Sequence, residues 1–295
     1  MGKVTINRIS GEPDLLGESP LWDGARGVLY WIDGRAQLIR RFNPSTGAFS
    51  EWTLPAHIGS IGLAAGHDLV VALEDGIYLF NLTNGALNPL ARPPMGPHVR
   101  FNDGKVDQAG RFLSGMMDTR LEPSAELYRV DSAGRHEKLK GGFRVANSIA
   151  FSPDGMTMYF ADTLEKSIGV YDYGDDPASF ERPRHSIDTA EFVSGPDGAT
   201  VDADGCLWVA LIHAGKIGRF TPDGSLDRLI DAGTDFPSCV AFGGPGLATL
   251  FVTSIKDSGT GRTISKHPDG GCLHAIEGLG THGLPEPTFG VAHRL

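Results

Sequence analysis

Cysteine is scarce in this sequence: Cys206, Cys239 and Cys272 are the three among 295 residues, and no two stand close together. That excludes a disulfide scaffold and any zinc site built on paired cysteines, and it predicts three reduced thiols packed as small apolar side chains. Long apolar runs are missing too. Nothing approaches the ~18 continuous apolar residues of a membrane-spanning helix. The leading MGKVTINRIS has neither the apolar stretch of a secretory signal nor the serine or threonine that myristoylation requires at its sixth position. A soluble cytoplasmic protein with no membrane partner is the expectation. Positive charge is in deficit: 26 Lys and Arg against 36 Asp and Glu leave a net charge of −10. With no basic run to meet a phosphate backbone, no nucleic-acid partner is expected. Absent as well are the G-x-S-x-G elbow of serine hydrolases, H-E-x-x-H and a phosphate-binding loop, and the histidines are scattered without ligand spacing.

What the sequence does have is turn residues, 40 glycines and 19 prolines spread along the whole chain. Between them lie short apolar runs such as VLYWID, IYLFNL, TMYFAD and CLWVALI, while long windows of 3.6-residue periodicity are hard to find. Strand-sized runs bounded by Asp-Gly, Asn-Gly or Pro-Asp-Gly predict antiparallel hairpins throughout. The strands also repeat. Six segments align, beginning at Gly17, Gly59, Phe101, Ala146, Pro196 and Pro237, each a strand, a glycine-rich turn and a second strand. Their equivalent polar positions are Glu18, Ser60, Asn102, Asn147, Asp197 and Ser238, spaced by 42, 42, 45, 50 and 41 residues. A period of that length with several strands per unit is the signature of a propeller. The prediction is an all-β chain, residues 1–295 forming one six-bladed β-propeller of four-stranded blades. VTINRI near one end and CLHAIE near the other are strand-like and suited to share the last blade, leaving no open sheet edge.

In a propeller the innermost strands line a central channel, so residues at one end of those strands converge. Glu18, Asn147 and Asp197 fall on blades one, four and five, where they can face one another across the mouth. Two carboxylates and an amide carbonyl are hard oxygen donors suited to Ca²⁺, Mg²⁺ or Mn²⁺. A cation also removes the repulsion that would push one carboxyl's pKa upward.

The segments GESPLWD (17–23), VRFNDGKVDQAGRFLSGMMD (99–118), VANSIAFSPDGMTMYFADT (145–163), IGVYDY (168–173) and GPDGATVDADGCLWVAL (195–211) resemble the gluconolactonase/regucalcin-like, or senescence-marker-protein, family. The resemblance covers nearly the whole chain in order, and RFNDGKVD is its most specific element. It implies a sugar lactonase with one divalent ion held by Glu18, Asn147 and Asp197. That ion is Ca²⁺, Mg²⁺, Mn²⁺, Zn²⁺ or Fe(II), its identity open. Arg100 and Asn102 look like the family's contacts to substrate hydroxyls, with Asp103 the next candidate. Two departures stand out: Asn147-Ser148 replaces the usual Asn-Gly, and the acidic residue after the Gly-Thr-Met turn is matched only by Asp118 or Glu122.

The chemistry implied is hydrolysis of a ring ester, the ion polarising the lactone carbonyl and either Asp197 or a metal-bound hydroxide activating water. Arg100, Asn102 and Asp103 supply the mixed donors and acceptors that a polyol needs. The rival readings are a calcium-dependent phosphotriesterase or arylesterase of the same blade number, and a calcium-binding propeller without enzymatic activity.

Overall fold

The apolar runs of the sequence become strands buried on both faces, which explains why they read as continuous rather than alternating. Val28–Asp33, Phe112–Asp118 and Leu207–Leu211, each the second strand of its blade, are buried at every position. In the computed structural model, which describes residues 3–9, 12–65 and 68–292, six antiparallel sheets follow one another along the chain. Their innermost strands are Gly17–Asp23, Ile58–Ala64, Val99–Val106, Ala146–Phe151, Pro196–Val201 and Pro237–Gly243, here blades one to six. The six-bladed propeller read from the repeat is the fold observed. Met1, Gly2 and the Gly66-His67 pair, where the second repeat is expected to turn, lie outside the described residues.

The core is a ring of apolar layers between neighbouring blades. Ile32 and Ile39 of blade one meet Ile61 and Val71 of blade two, and Trp208 and Ile217 of blade five meet Val240 and Val252 of blade six. Trp22 stacks on Phe251 across the junction of blades one and six. All three cysteines are buried and free, as their spacing predicts. Among the described residues no helix is long and apolar enough to cross a membrane.

Both ends of the chain are tied in. Thr5–Arg8 pairs with His274–Glu277 from Thr5 opposite Glu277 to Arg8 opposite His274, so the amino-terminal strand is the outermost strand of blade six. The other end departs from the expectation of four strands per blade. Thr288–Phe289 runs parallel to Leu63–Ala64, making blade two five-stranded. Inner strands have one unpaired edge facing the channel, and this short strand covers part of one such edge. On its way there the segment crosses the channel end opposite Glu18. The Ala203 and Gly283 amides donate to His282 and Leu247 carbonyls at 2.9 Å, and the Gly290 amide donates to Gly110. We call residues 282–290 the strap.

Every inner strand breaks register near its aligned polar residue, between Glu18 and Leu21, Ile58 and Ser60, Phe101 and Gly104, Asn147 and Ala150, Pro196 and Ala199, and Pro237 and Cys239. A bulge re-aims side chains and frees backbone groups that need other partners. Side chains of neighbouring blades supply them. Ser19 Oγ accepts from Ile61 N (3.1 Å), Asn102 Nδ2 donates to Ala146 O (3.0 Å), Ser148 Oγ donates to Asp197 O (2.5 Å), and the Ser238 hydroxyl donates to Gly17 O. Between blades five and six the contact is steric: a Cβ on Gly198 would lie 2.2 Å from Cys239 Sγ, so glycine is required there.

Deleting residues 1–9 should expose His274–Glu277 as a free edge. The melting temperature should fall by about 5–10 °C with concentration-dependent self-association, measured by calorimetry and light scattering. An unchanged melting temperature would show that the closure is dispensable.

Candidate functional site

The bulges of blades one, four and five carry Glu18, Asn147 and Asp197 to the same end of the channel. Asn147 and Asp197 are each 5% exposed, and Glu18 is walled by protein yet reachable from the mouth. Backbone strain helps to aim the first two. Ser19 (φ 50°) and Ser148 (φ 56°), the residues after Glu18 and Asn147, both adopt the left-handed conformation that favours glycine. The serine that departs from the family pattern is held there by its hydrogen bond to Asp197 O.

A directed chain of hydrogen bonds sets the amide of Asn147. Thr163 Oγ1 donates to Pro196 O (3.0 Å), a group that only accepts, so its lone pair must receive Asn147 Nδ2 (2.7 Å). Asn147 Oδ1 is therefore the face turned inward, where it accepts from Asn102 Nδ2 (3.2 Å). Asn102 Oδ1 accepts in turn from Arg100 Nη1 (3.3 Å), which also donates to Phe101 O (2.9 Å). Arg100, Asn102, Asn147 and Thr163 thus form one polar line across blades three and four.

The electrostatics are those of crowded, desolvated carboxylates. Burial, then repulsion from Asp197 and Asp103, pushes the Glu18 carboxyl well above its usual pKa, against the Ser19 amide and Arg100. Burial and then Asp103 push Asp197 up as well, against the Gly198 amide. Arg100 is brought down to about 10 by burial, although Glu74 and Glu18 hold its charge in place. Beside it His57 is lowered to about 3 by burial and then by the guanidinium, so its imidazole is neutral, and its Nδ1 is buried without a hydrogen-bond partner.

Not every residue expected at the site faces it in the same way. Asp103 accepts from Gly104 N and Ile149 N, both at 2.8 Å. It braces the blade-four bulge beneath Asn147, and burial raises it to about 6. Asp118 is buried and caps the following loop, accepting from Arg120 N (2.7 Å) and the Ser124 hydroxyl, while Glu122 is exposed. Thr163 and His57 are contributors that sequence reasoning passed over. Thr163 follows the TMYFAD run and could have been found as the last residue of that segment, whereas His57 precedes its inner strand without any motif.

A divalent cation fits this set. Glu18 and Asp197 offer two anionic oxygen donors, and the Thr163 bond presents the carbonyl rather than the amino side of Asn147. Among the described residues no three His, Cys, Asp or Glu side chains form such a group; the third donor here is an amide.

Residues 16–256 match the family described as the SMP-30/gluconolactonase/LRE-like region. The chain belongs to this family. It is 36% identical to the 6-deoxy-6-sulfogluconolactonase of Pseudomonas putida, covering 97% of this chain and 98% of that one. It is 32% identical to the L-arabinolactonase of Azospirillum brasilense over 92% of this chain and 90% of the relative. Among solved structures, the calcium-binding protein regucalcin of Agrobacterium tumefaciens superposes with a TM-score of 0.85 at 27% identity, covering 98% and 97% of the two chains. Relatives named as lactonases make the chain a lactonase-type hydrolase of this family.

A carboxyl that holds its proton more tightly folded than unfolded stabilises the fold below its unfolded pKa, and that advantage is lost as pH rises through the folded value. Glu18 and Asp197 are both raised. Metal-free Glu18→Gln should therefore melt about 3–6 °C above the metal-free parent at pH 8, with the difference vanishing near pH 4. A difference independent of pH would mean that Glu18 is not held above its unfolded pKa.

Proposed function

We propose that this protein hydrolyses the ester bond of a sugar (aldono) lactone, with a divalent cation held by Glu18, Asn147 and Asp197. The observation that carries the reading is the convergence of two buried carboxylates, both pushed toward neutrality, with an amide oxygen whose orientation is imposed by Thr163. Such a set gains most from a cation of hard character, and Ca²⁺, Mg²⁺ and Mn²⁺ suit it best. The regucalcin relative, described as a calcium-binding protein, supports that choice. A divalent ion there supplies polarisation of the lactone carbonyl and stabilises negative charge developing on its oxygen.

The chain's own groups do the rest. Asp197 holds a water against the carbonyl carbon and takes its proton as the new C–O bond forms. When the ring C–O bond breaks, Asp197 returns that proton to the departing ring oxygen, which becomes the hydroxyl of the open-chain acid. Arg100 keeps donors beyond the Nη1 bonds described above. These donors bind the ring hydroxyls or the substituent at the sugar's far end, fixing the ring over the carboxylates. Asp103 acts from below, by bracing Asn147. A substrate related to those named for the sulfogluconolactonase and arabinolactonase relatives fits this rim.

The test is release of acid from a panel of aldonolactones, including gluconolactone, arabinonolactone and 6-sulfogluconolactone, with and without chelator. Chelation and Asp197→Asn should each cut turnover by about a hundredfold or more. Arg100→Ala should leave divalent binding intact. It should lower kcat/KM about tenfold or more on polyhydroxylated lactones, and less on an unsubstituted ring. Full turnover by Asp197→Asn in chelator would remove the metal and the base together. Equal losses on both kinds of ring would point to a general esterase.

A further inference from the structure

We propose that Glu286, delivered by the strap, cancels the charge of Lys105 beneath the carboxylates, keeping the channel floor electrically neutral so that it does not compete with a divalent cation above. The inference rests on the reading of a cation at Glu18, Asn147 and Asp197. Lys105 sits on the blade-three inner strand two residues beyond Asp103, and its Nζ lies 3.3 Å from Glu286 Oε1. Their side chains are 18% and 9% exposed, so neither charge is dispersed into bulk water.

The pair is electrically connected to the site. Lys105 acts on Asp103 and on the Cys239 thiol, and that thiol also feels Glu18, Asp103 and Asp197. A cavity of about 20 Å³, lined by Ser19, Asp103, Lys105, Cys239 and Glu286 among others, separates the carboxylates from the strap. That is room for about one water and little screening. Without Glu286, Lys105 would be an unbalanced ammonium facing Asp103, repelling any divalent ion and itself serving as a counter-ion to the carboxylates. Glu286 lies 181 residues along the chain from Lys105, so the strap both closes the channel's far end and adjusts its charge.

A merely mechanical role, the pair fastening the strap, predicts something different. Loosening the strap would weaken metal binding whichever partner is lost. Charge cancellation predicts opposite signs. Titration of metal-free protein with Ca²⁺ and Mn²⁺ by calorimetry at pH 8 separates the two. Glu286→Gln should weaken divalent binding about tenfold, Lys105→Met should leave it equal or about threefold tighter, and the double variant should return to within about twofold of the parent. Thermal melts of each variant report whether the strap stays docked. If Glu286→Gln fails to fold, Lys105→Met and the double variant carry the test: the first must bind no more weakly than the parent and the second must stay within about twofold of it, whereas a mechanical fastening predicts a loss in both. Losses of the same sign in both single variants, or no change in any, overturn the proposal. A parent protein that binds neither ion overturns the cation reading itself, and this inference with it.

Discussion

Apart from the two residues of blade two covered by Thr288–Phe289, the innermost strand of each blade is hydrogen-bonded to a neighbour on one side only, and the free edge faces a narrow channel. An unpaired backbone group is costly wherever water is scarce, so each inner strand must end its ladder in a controlled way. The chain does so six times with a break in register at the aligned polar residue. Serine and asparagine side chains from adjacent blades then occupy freed backbone groups. The same device that resolves the edge problem turns Glu18, Asn147 and Asp197 toward the axis. Architecture and candidate site are two consequences of one constraint, which is why the repeat register alone brings these three residues together.

Concentrating acids on an axis creates a second problem. Glu18, Asp197 and Asp103 are desolvated together; Asp197 and Asp103 raise Glu18, and Asp103 raises Asp197. Arg100 offsets part of this from the rim and stays charged although burial lowers it to about 10, but one guanidinium stands against three carboxyls. A divalent cation offsets far more charge at the right place. The polar line from Arg100 to Thr163 then has a purpose beyond stability. It engages the Asn147 amino group at Thr163, leaving the carbonyl oxygen inward, and it links Arg100 to Asn147 through Asn102.

The parts of this arrangement that were legible in the sequence are those that repeat or lie in short motifs. The polar second positions could be aligned because the blades recur every 41 to 50 residues, and hairpin turns announced the strands. Ser148 looked like a bare departure from Asn-Gly, and only its left-handed backbone and its bond to Asp197 O show how a serine is accommodated. Asp103 adjoins Asn102 in sequence, but a bulged strand no longer alternates simply, and its carboxylate meets the Ile149 amide. Lys105 and Glu286 were invisible as a pair, since no local pattern connects residues so far apart. The fifth strand of blade two was hidden for a related reason. Thr288–Phe289 is too short for a periodic signal, and it forms because an edge already exists to receive it.

These differences suggest how the family's chemistry and its specificity are divided over the fold. Glu18, Asn147 and Asp197 lie on strands, at bulges whose neighbours are locked by inter-blade bonds, where a shift would unpair backbone groups in two blades at once. His57 and Arg100 stand at the beginnings of their inner strands, where connecting loops enter and side chains have fewer such obligations. Asp118 illustrates the freedom of that region: it spends its carboxylate on capping its own loop rather than on the channel. Substitution at the rim alters which hydroxyl or charged substituent is met without disturbing the ladder below, whereas substitution at the triad disturbs both. A fold built this way retains its hydrolytic centre while the lactone it accepts changes, and relatives named for different sugar lactones on one propeller are what such a division of labour produces.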